Sequence, residues 1–350
     1  MKKSLSIKLL LIALCWTQVL HANECSQKSP YSDNSSVIQN TKYRIKSFLN
    51  GKCLHRVKTT PLTIKSMDKV KLLNFIAPQA LELRDTRNTC LKMTKLSFSQ
   101  RDQKDNTWRP QGVAKVKDIA FISWYHRKKI SGALTLQNGN EGMRISIIDL
   151  EKLKYQHYKV KDESGKTIIG HADGLAIYEN LLFLADYHYG IHILDLQSID
   201  HRKKIISRIN SISTENCQFP IYKFGNLSIN QKNMTMQFSA YPSKQNILNI
   251  NSLKIKDLIS KERDLSIHSE KRGLPYSKVQ GLAQHDHSYY ILNQNDHTSS
   301  TLTKTDLNTQ TTYLLPSGVE DAEIFENELM TVTELDENKS ILLIKLLPSI

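Results

Sequence analysis

Two short patterns in the 350-residue chain hold side chains that could move protons or grip a ligand. In His171-Ala172-Asp173-Gly174 an imidazole stands two positions from a carboxylate. Such a pair titrates near neutral pH and suits acid–base work, so His171 and Asp173 are the catalytic candidates. Glu320 and Asp321 are adjacent carboxylates. On a strand they face opposite sides and do not act as one pair. His285-Asp286-His287 has the spacing of a metal pair but falls where a hairpin turn is expected, and it reads as an exposed turn. Tyr187-His188-Tyr189 could stack on a flat ligand such as a sugar, or simply cap its loop. No GxSxG, HExxH, phosphate-loop or dinucleotide pattern occurs.

These residues sit inside a repeat. Gln111-Gly112-Val113-Ala114 recurs as Asp173-Gly174-Leu175-Ala176 and Gln280-Gly281-Leu282-Ala283, with weaker copies at Asn226-Leu227 and Glu320-Asp321. Seven positions after each anchor comes a turn residue: Asp118, Asn180, Asn233, His287 and Asn327. A β-rich run follows each turn, then a polar loop and a second β-rich run. Anchors are 40 to 62 residues apart. Units of this size built from short antiparallel strands are the signature of β-propeller blades. A lone four-stranded sheet cannot bury both faces, whereas a ring of them can. The fold class is therefore all-β: a β-propeller of five blades from Gln111 to Leu346, with six open if Tyr43 to Met93 forms another. An N-terminal segment closes the ring, and Leu73–Leu83 or Val70–Ile76 is expected to supply the closing strand.

Propeller geometry predicts where a site lies. The innermost strand of each blade starts at one mouth of the central channel. Gln111, Asp173, Asn226, Gln280 and Glu320 should ring that mouth, with Trp124, Tyr125, Asp186, Tyr187, Tyr241, Asn293, Thr333 and Glu334 just outside. Arg109 joins them as a ligand-binding candidate. The oxygen-rich ring would suit sugar hydroxyls, or a hard cation such as Ca2+ held by Asp173, Asn226 and Glu320. The same anchors have a purely structural use, bonding the neighbouring blade's backbone.

An ordered set of motifs carries a resemblance. Trp108-Arg109-Pro110-Gln111-Gly112, Ser123-Trp124-Tyr125, His171-Ala172-Asp173-Gly174, Leu184-Ala185-Asp186 with Leu194-Asp195-Leu196, Gln280-Gly281, and Glu320-Asp321 with Thr333-Glu334 follow one another in the chain. Together they resemble a group of secreted bacterial propeller-like proteins whose activity is uncharacterised. The resemblance implies secretion and the propeller fold. That group usually has glycine where this chain has Asp173.

The N-terminus fits export. Lys2, Lys3 and Lys8 precede a 12-residue apolar core, Leu9–Leu20, with a small residue at Ala22. This is a signal peptide over 1–22, too short for a span, which needs about 20 residues. The remaining organisation is an N-terminal extension over 23–107, contributing closing strands or an extra blade, and the propeller over 108–350. In a periplasmic or secreted protein Cys25, Cys53, Cys90 and Cys217 are free to pair, and Cys53–Cys90 with Cys25–Cys217 is the favoured arrangement. Loss of the three signal lysines takes the +14 net charge to +11. The charge is scattered over short clusters, so a small molecule, a glycan or an anionic envelope polymer suits it better than nucleic acid. The chain reads as an exported monomeric propeller that binds a ligand at its channel mouth. A calcium-assisted hydrolase of lactonase, esterase or phosphoesterase type is the alternative.

Overall fold

The computed structural model describes residues 46–47, 54–58, 62–73, 79–85, 91–130, 133–214, 225–239, 247–260, 265, 267–273, 278–294, 299–306, 309–335 and 338–346. The signal segment, Cys25, Cys53, Cys90, Cys217 and Tyr241 lie outside them.

Alternating runs fold into five antiparallel blades. The first consists of Trp108–Val116, Ile119–Ile130, Ala133–Asp149 and Lys154–Lys161. The second consists of Leu175–Tyr178, Leu181–Asp186, Gly190–Asp195 and Ile205–Ser213. The third holds Ser228–Asn230, Thr235–Ser239, Ile247–Lys254 and His268–Gly273. The fourth holds Val279–His285, Ser288–Gln294, Ser300–Thr305 and Gln310–Leu315. The fifth holds Val319–Phe325, Glu328–Thr333 and Ser340–Lys345, and its fourth strand comes from Met93–Ser97. The first strands of the blades touch in cyclic order, the fifth returning to the first. The chain is thus a five-bladed propeller.

The expected turn residues lie in the first hairpins. In four blades the turn has two residues, the first in the left-handed region: Lys117, Glu179, Asp286 and Glu326. In three blades the carbonyl of the second turn residue accepts the N–H that follows the third strand: Asp118 from Leu150, Asn180 from Leu196 and Asn327 from Leu346. This bond gives the polar turn position a structural reason to recur.

The closing strand is Met93–Ser97, in register with Ser340–Ile344, and Glu82–Asp85 adds a further strand outside it. The expected Leu73–Leu83 and Val70–Ile76 do not fill that place; Lys69–Leu73 is a short helix. A brief apolar run has too little periodicity to separate helix from strand. The described residues before Met93 form no sixth blade. They lay Lys46–Ser47 on the third blade, His55–Arg56 on the second and Gln79–Ala80 on the first. The outer strands of the first two blades also pair in parallel, Ile205 with Lys159.

Five hydrophobic clusters occupy the five gaps between blades, for example Phe183 with Phe238 and Phe121 with Leu182. Inner strands meet at glycine. A Cβ on Gly174 would lie 2.5 Å from Leu227 N, and one on Gly112 2.7 Å from Leu175 N. Both approaches are to backbone, which cannot swing aside.

The narrow channel leaves inward N–H groups in need of acceptors. The fifth blade supplies them. Asp321 accepts from Val113 N at 3.1 Å, Leu175 N at 3.0 Å and Leu227 N at 3.4 Å. Two positions on, Glu323 accepts from Ile229 N. Asp321 thereby joins the inner strands of the first three blades to the fifth.

Candidate functional site

The mouth is built by β-bulges. Register shifts fall between Pro110 and Val113, Val279 and Gly281, and Glu320 and Ala322. A bulge adds a residue to one strand and re-aims its side chain. The extra residues are Gln111–Gly112, Gln280 and Asp321: Gln111 and Gln280 turn toward the mouth, while in the fifth blade the bulge aims Asp321 at the neighbouring inner strands and Glu320 stays in register with Val332.

Two linked clusters result. In one, Glu334 Oε2 receives Gln111 Nε2 at 3.0 Å and Arg109 at 3.2 Å, which ties the fifth blade to the first. Gln280 Nε2 donates to Gln294 Oε1 at 3.0 Å and lies 3.4 Å from Glu320 Oε1. In the other, His171 Nδ1 is 2.6 Å from Asp173 Oδ1, and Asp173 Oδ2 accepts Tyr187 N at 2.7 Å. The His171 ring stacks on Tyr125 at 4.1 Å with 24° between planes. Ala172, between the pair, is fully buried at φ 61°.

The electrostatics follow from burial and crowding. Burial, then the nearby Glu334, Asp173 and Asp321 carboxylates, push the Glu320 carboxyl well above the usual range. Burial also raises the Tyr125 phenol. Burial pulls His171 down, but the charge and hydrogen bond of Asp173 outweigh it and raise the imidazole above its ordinary 6.5. The mouth thus holds a carboxyl that favours its proton and an imidazole whose own carboxylate partner makes it more basic.

Of the residues singled out from sequence, Arg109, Gln111, Tyr125, His171, Asp173, Gln280, Glu320 and Glu334 come together here, joined by Tyr187 through its main chain. Others stand elsewhere. Trp124, expected at the rim, is fully buried, donates to Ser146 Oγ at 2.6 Å and packs under Arg144 and against Phe98. Asp186 stays close by: buried beneath the rim, it bonds the His171 main chain and lies 3.3 Å from His192. Asn226 is buried and spends its amide on Ser239, donating at 2.6 Å and accepting at 3.1 Å. Asn293 is also buried, and its amide finds no partner among the described residues.

The grouping of Asp173, Asn226 and Glu320 for calcium does not form. Asn226 is occupied, and both Asp173 oxygens are engaged. Among the described residues no three His, Cys, Asp or Glu side chains are arranged to hold a metal ion. His285-Asp286-His287 is a hairpin turn, with Asp286 paired to Lys232 at 3.3 Å. In Tyr187-His188-Tyr189, Tyr189 packs inward on His192.

Gln294 was not singled out, although it ends its strand where Glu334 ends the fifth blade's. A second polar cluster was also missed. Asp102 accepts from Tyr155 at 2.5 Å, from His157 at 3.1 Å and from Arg144 at 3.3 Å, and His157 Nδ1 meets Ser146 Oγ at 2.8 Å. The chain Ser146–His157–Asp102 has the order of a nucleophile relay, but Ser146 is fully buried and already bonded by Trp124. Burial, with Arg144, pushes His157 down to about 4. The cluster anchors the Gln100–Lys104 helix, between the closing strand and the first blade.

No family model matches the chain, and no curated protein matches it. Among solved structures it is similar to a GH43_1 enzyme from Xanthomonas citri, at 9% identity and a TM-score of 0.44, covering 70% of this chain and 89% of that one. It is also similar to the RS223 β-xylosidase, at 10% identity and 0.36, covering 69% and 93%. A nidogen/laminin complex follows at 7% identity and 0.37, covering 64% and 72%. At such values each protein's activity remains its own. No helix among the described residues is long and apolar enough to cross a membrane.

Proposed function

We propose that this propeller binds a small polar ligand at the mouth formed by its first, second, fourth and fifth blades, and that it does so outside the cytoplasm after removal of residues 1–22. One observation carries the reading. Asp321 ties the inner strands of the first, second and third blades together next to Glu320, and the polar side chains gather at the same end of those strands. The mouth carries Arg109, Gln111, His171, Asp173, Gln280, Glu320 and Glu334, a concentration of donors and acceptors suited to fix a ligand's orientation. Isothermal titration of the full chain against mono- and oligosaccharides, polyols and short carboxylic acids tests it. Binding should occur with at least one class, fall at least tenfold in Asp173→Ala and in Glu334→Ala, and persist in Lys203→Ala on the exposed surface. A ligand whose affinity is untouched by both mouth variants sinks the proposal.

A further inference from the structure

Resting on the mouth as a ligand site, we propose that it is also a hydrolytic site for an acetal, in which His171 Nε2 takes a proton from water and the Glu320 carboxyl gives one to the departing oxygen.

The geometry around His171 is that of an oriented base. Its Nδ1 is held by Asp173 at 2.6 Å, which leaves Nε2 as the nitrogen open to a reactant. The ring is fixed from one face by Tyr125, and Asp173 is fixed from below by Tyr187 N. His171 keeps 28% side-chain exposure against 10% for Asp173, so the base lies outward and its orienting carboxylate beneath. The pairing depends on Ala172 in the left-handed region, a conformation L-residues rarely adopt. Strain of this kind persists only where the surroundings enforce it, and it concentrates at functional sites.

Glu320 is the complementary group. Its neighbours are carboxylates, Glu334, Asp173 and Asp321, and the nearest guanidinium, Arg109, is engaged by Glu334. The neutral Gln280 amide donates to it at 3.4 Å. A carboxyl so placed holds a proton to donate.

The arrangement favours an acetal over an ester. Acetal cleavage expels an alkoxide that needs a proton, which a neutral carboxyl supplies. Ester cleavage needs N–H donors aimed at an oxyanion. Here Tyr187 N is taken by Asp173, Gln111 Nε2 by Pro110 and Glu334, and Gln280 Nε2 by Gln294 and Glu320. The charges also pair internally, Arg109 with Glu334 and His171 with Asp173, which suits a neutral, hydroxyl-rich substrate.

The step balances without an oxidant. Water loses a proton to His171 Nε2, and its oxygen bonds to the acetal carbon. The bond from that carbon to the leaving oxygen breaks, and the leaving oxygen takes the Glu320 proton. The imidazolium then returns a proton through solvent to the Glu320 carboxylate. The groups facing His171 are Asp173, Glu334 and Asp186, and those facing Glu320 are Glu334, Asp173, Asp321 and Arg109.

The test uses the full chain on nitrophenyl α- and β-glycosides of glucose, galactose, xylose, arabinose, mannose and N-acetylglucosamine, and on the matching unsubstituted oligosaccharides. Wild type should cleave at least one pair. His171→Ala should lose about 100-fold or more on both members. Glu320→Gln should lose about 100-fold on the oligosaccharide but less than tenfold on the nitrophenyl glycoside, whose leaving group needs no proton. Asp173→Asn should move the acidic limb of the pH profile to lower pH, since it removes the charge that raises His171. Melting temperatures establish that each variant folds. No cleavage of any probe overturns the proposal, as does cleavage undiminished in His171→Ala or a His171-dependent cleavage of nitrophenyl esters alone. Saccharide binding that requires Asp173 and Glu334 without cleavage overturns catalysis and leaves the ligand site standing. Binding indifferent to both residues removes the ligand site as well.

Discussion

The Asp321 carboxylate accepts the main-chain N–H of Leu175 at 3.0 Å, reaching from the fifth blade to the second across the channel. The same oxygen takes Val113 N, and the other takes Leu227 N. One side chain therefore satisfies inner strands of three other blades. Asp321→Leu should leave three buried N–H groups unpaired, at about 1–3 kcal/mol each. Urea unfolding should show a loss of about 3 kcal/mol or more. A loss under 1 kcal/mol would show that the channel amides find other acceptors.

Gly174→Ala tests the close approach of inner strands. Its Cβ would sit 2.5 Å from Leu227 N, and the second and third blades would have to separate. Overpacking of this kind costs about 1–3 kcal/mol. The expected readout is a lower denaturation midpoint with an unchanged urea slope.

Stability should rise as pH falls from alkaline values toward the ordinary carboxylate range. Burial raises the Glu320 and Glu323 carboxyls well above 4.5, so the folded state holds protons that the unfolded chain has released. Groups raised in this way contribute stability that is complete below the unfolded pKa and lost as pH rises through the folded one. Glu323→Gln should flatten the slope, by up to about 1.4 kcal/mol per pH unit where the group titrates. Below 6.5 the depressed His157 acts in the opposite direction, because the unfolded imidazole takes up a proton that the folded one refuses. Melting temperatures across buffers at fixed ionic strength check the sign.

Asp102→Asn should cost about 3 kcal/mol. Arg144 lies 4.5 Å from the Trp108 and Trp124 rings, almost wholly buried, with Asp102 as its carboxylate partner. Replacement by a neutral amide leaves that guanidinium without a counter-charge. Asp102→Leu together with Arg144→Met should recover part of the loss in a double-mutant cycle.

Much of the ring was legible in advance because local chemistry repeats with the blade. Asp118, Asn180 and Asn327 mark turns whose carbonyls close the blade, and any such turn needs a similar residue. The third blade departs because its first hairpin has four turn residues: Met234, not Asn233, accepts the Ile255 N–H, and Asn226 occupies the position of Gly174. Trp124 and Tyr125 were both placed at the rim as strand-end residues, but successive residues face opposite sides of a strand, so Tyr125 meets His171 while Trp124 enters the core between the fifth and first blades. The closing strand was missed because Met93–Ser97 is polar at three of its positions, while the more apolar Lys69–Leu73 coils into a helix. The pairing of His171 with Asp173 was visible from spacing alone, but the φ of Ala172 that permits it was not.

The strand that completes the fifth blade is made long before its partners. Lys95 meets Asn338 across 243 residues of chain, so the seam of the ring forms only when the last blade has been synthesised. Residues 46–97 touch the third, second, first and fifth blades in that order, like a hoop drawn around a cask. A contact map this non-local makes slow assembly the natural outcome. Until the seam closes, the edge of Ser340–Lys345 is exposed and ready to pair with another chain, which makes the nascent molecule, more than the finished one, the form at risk of aggregation.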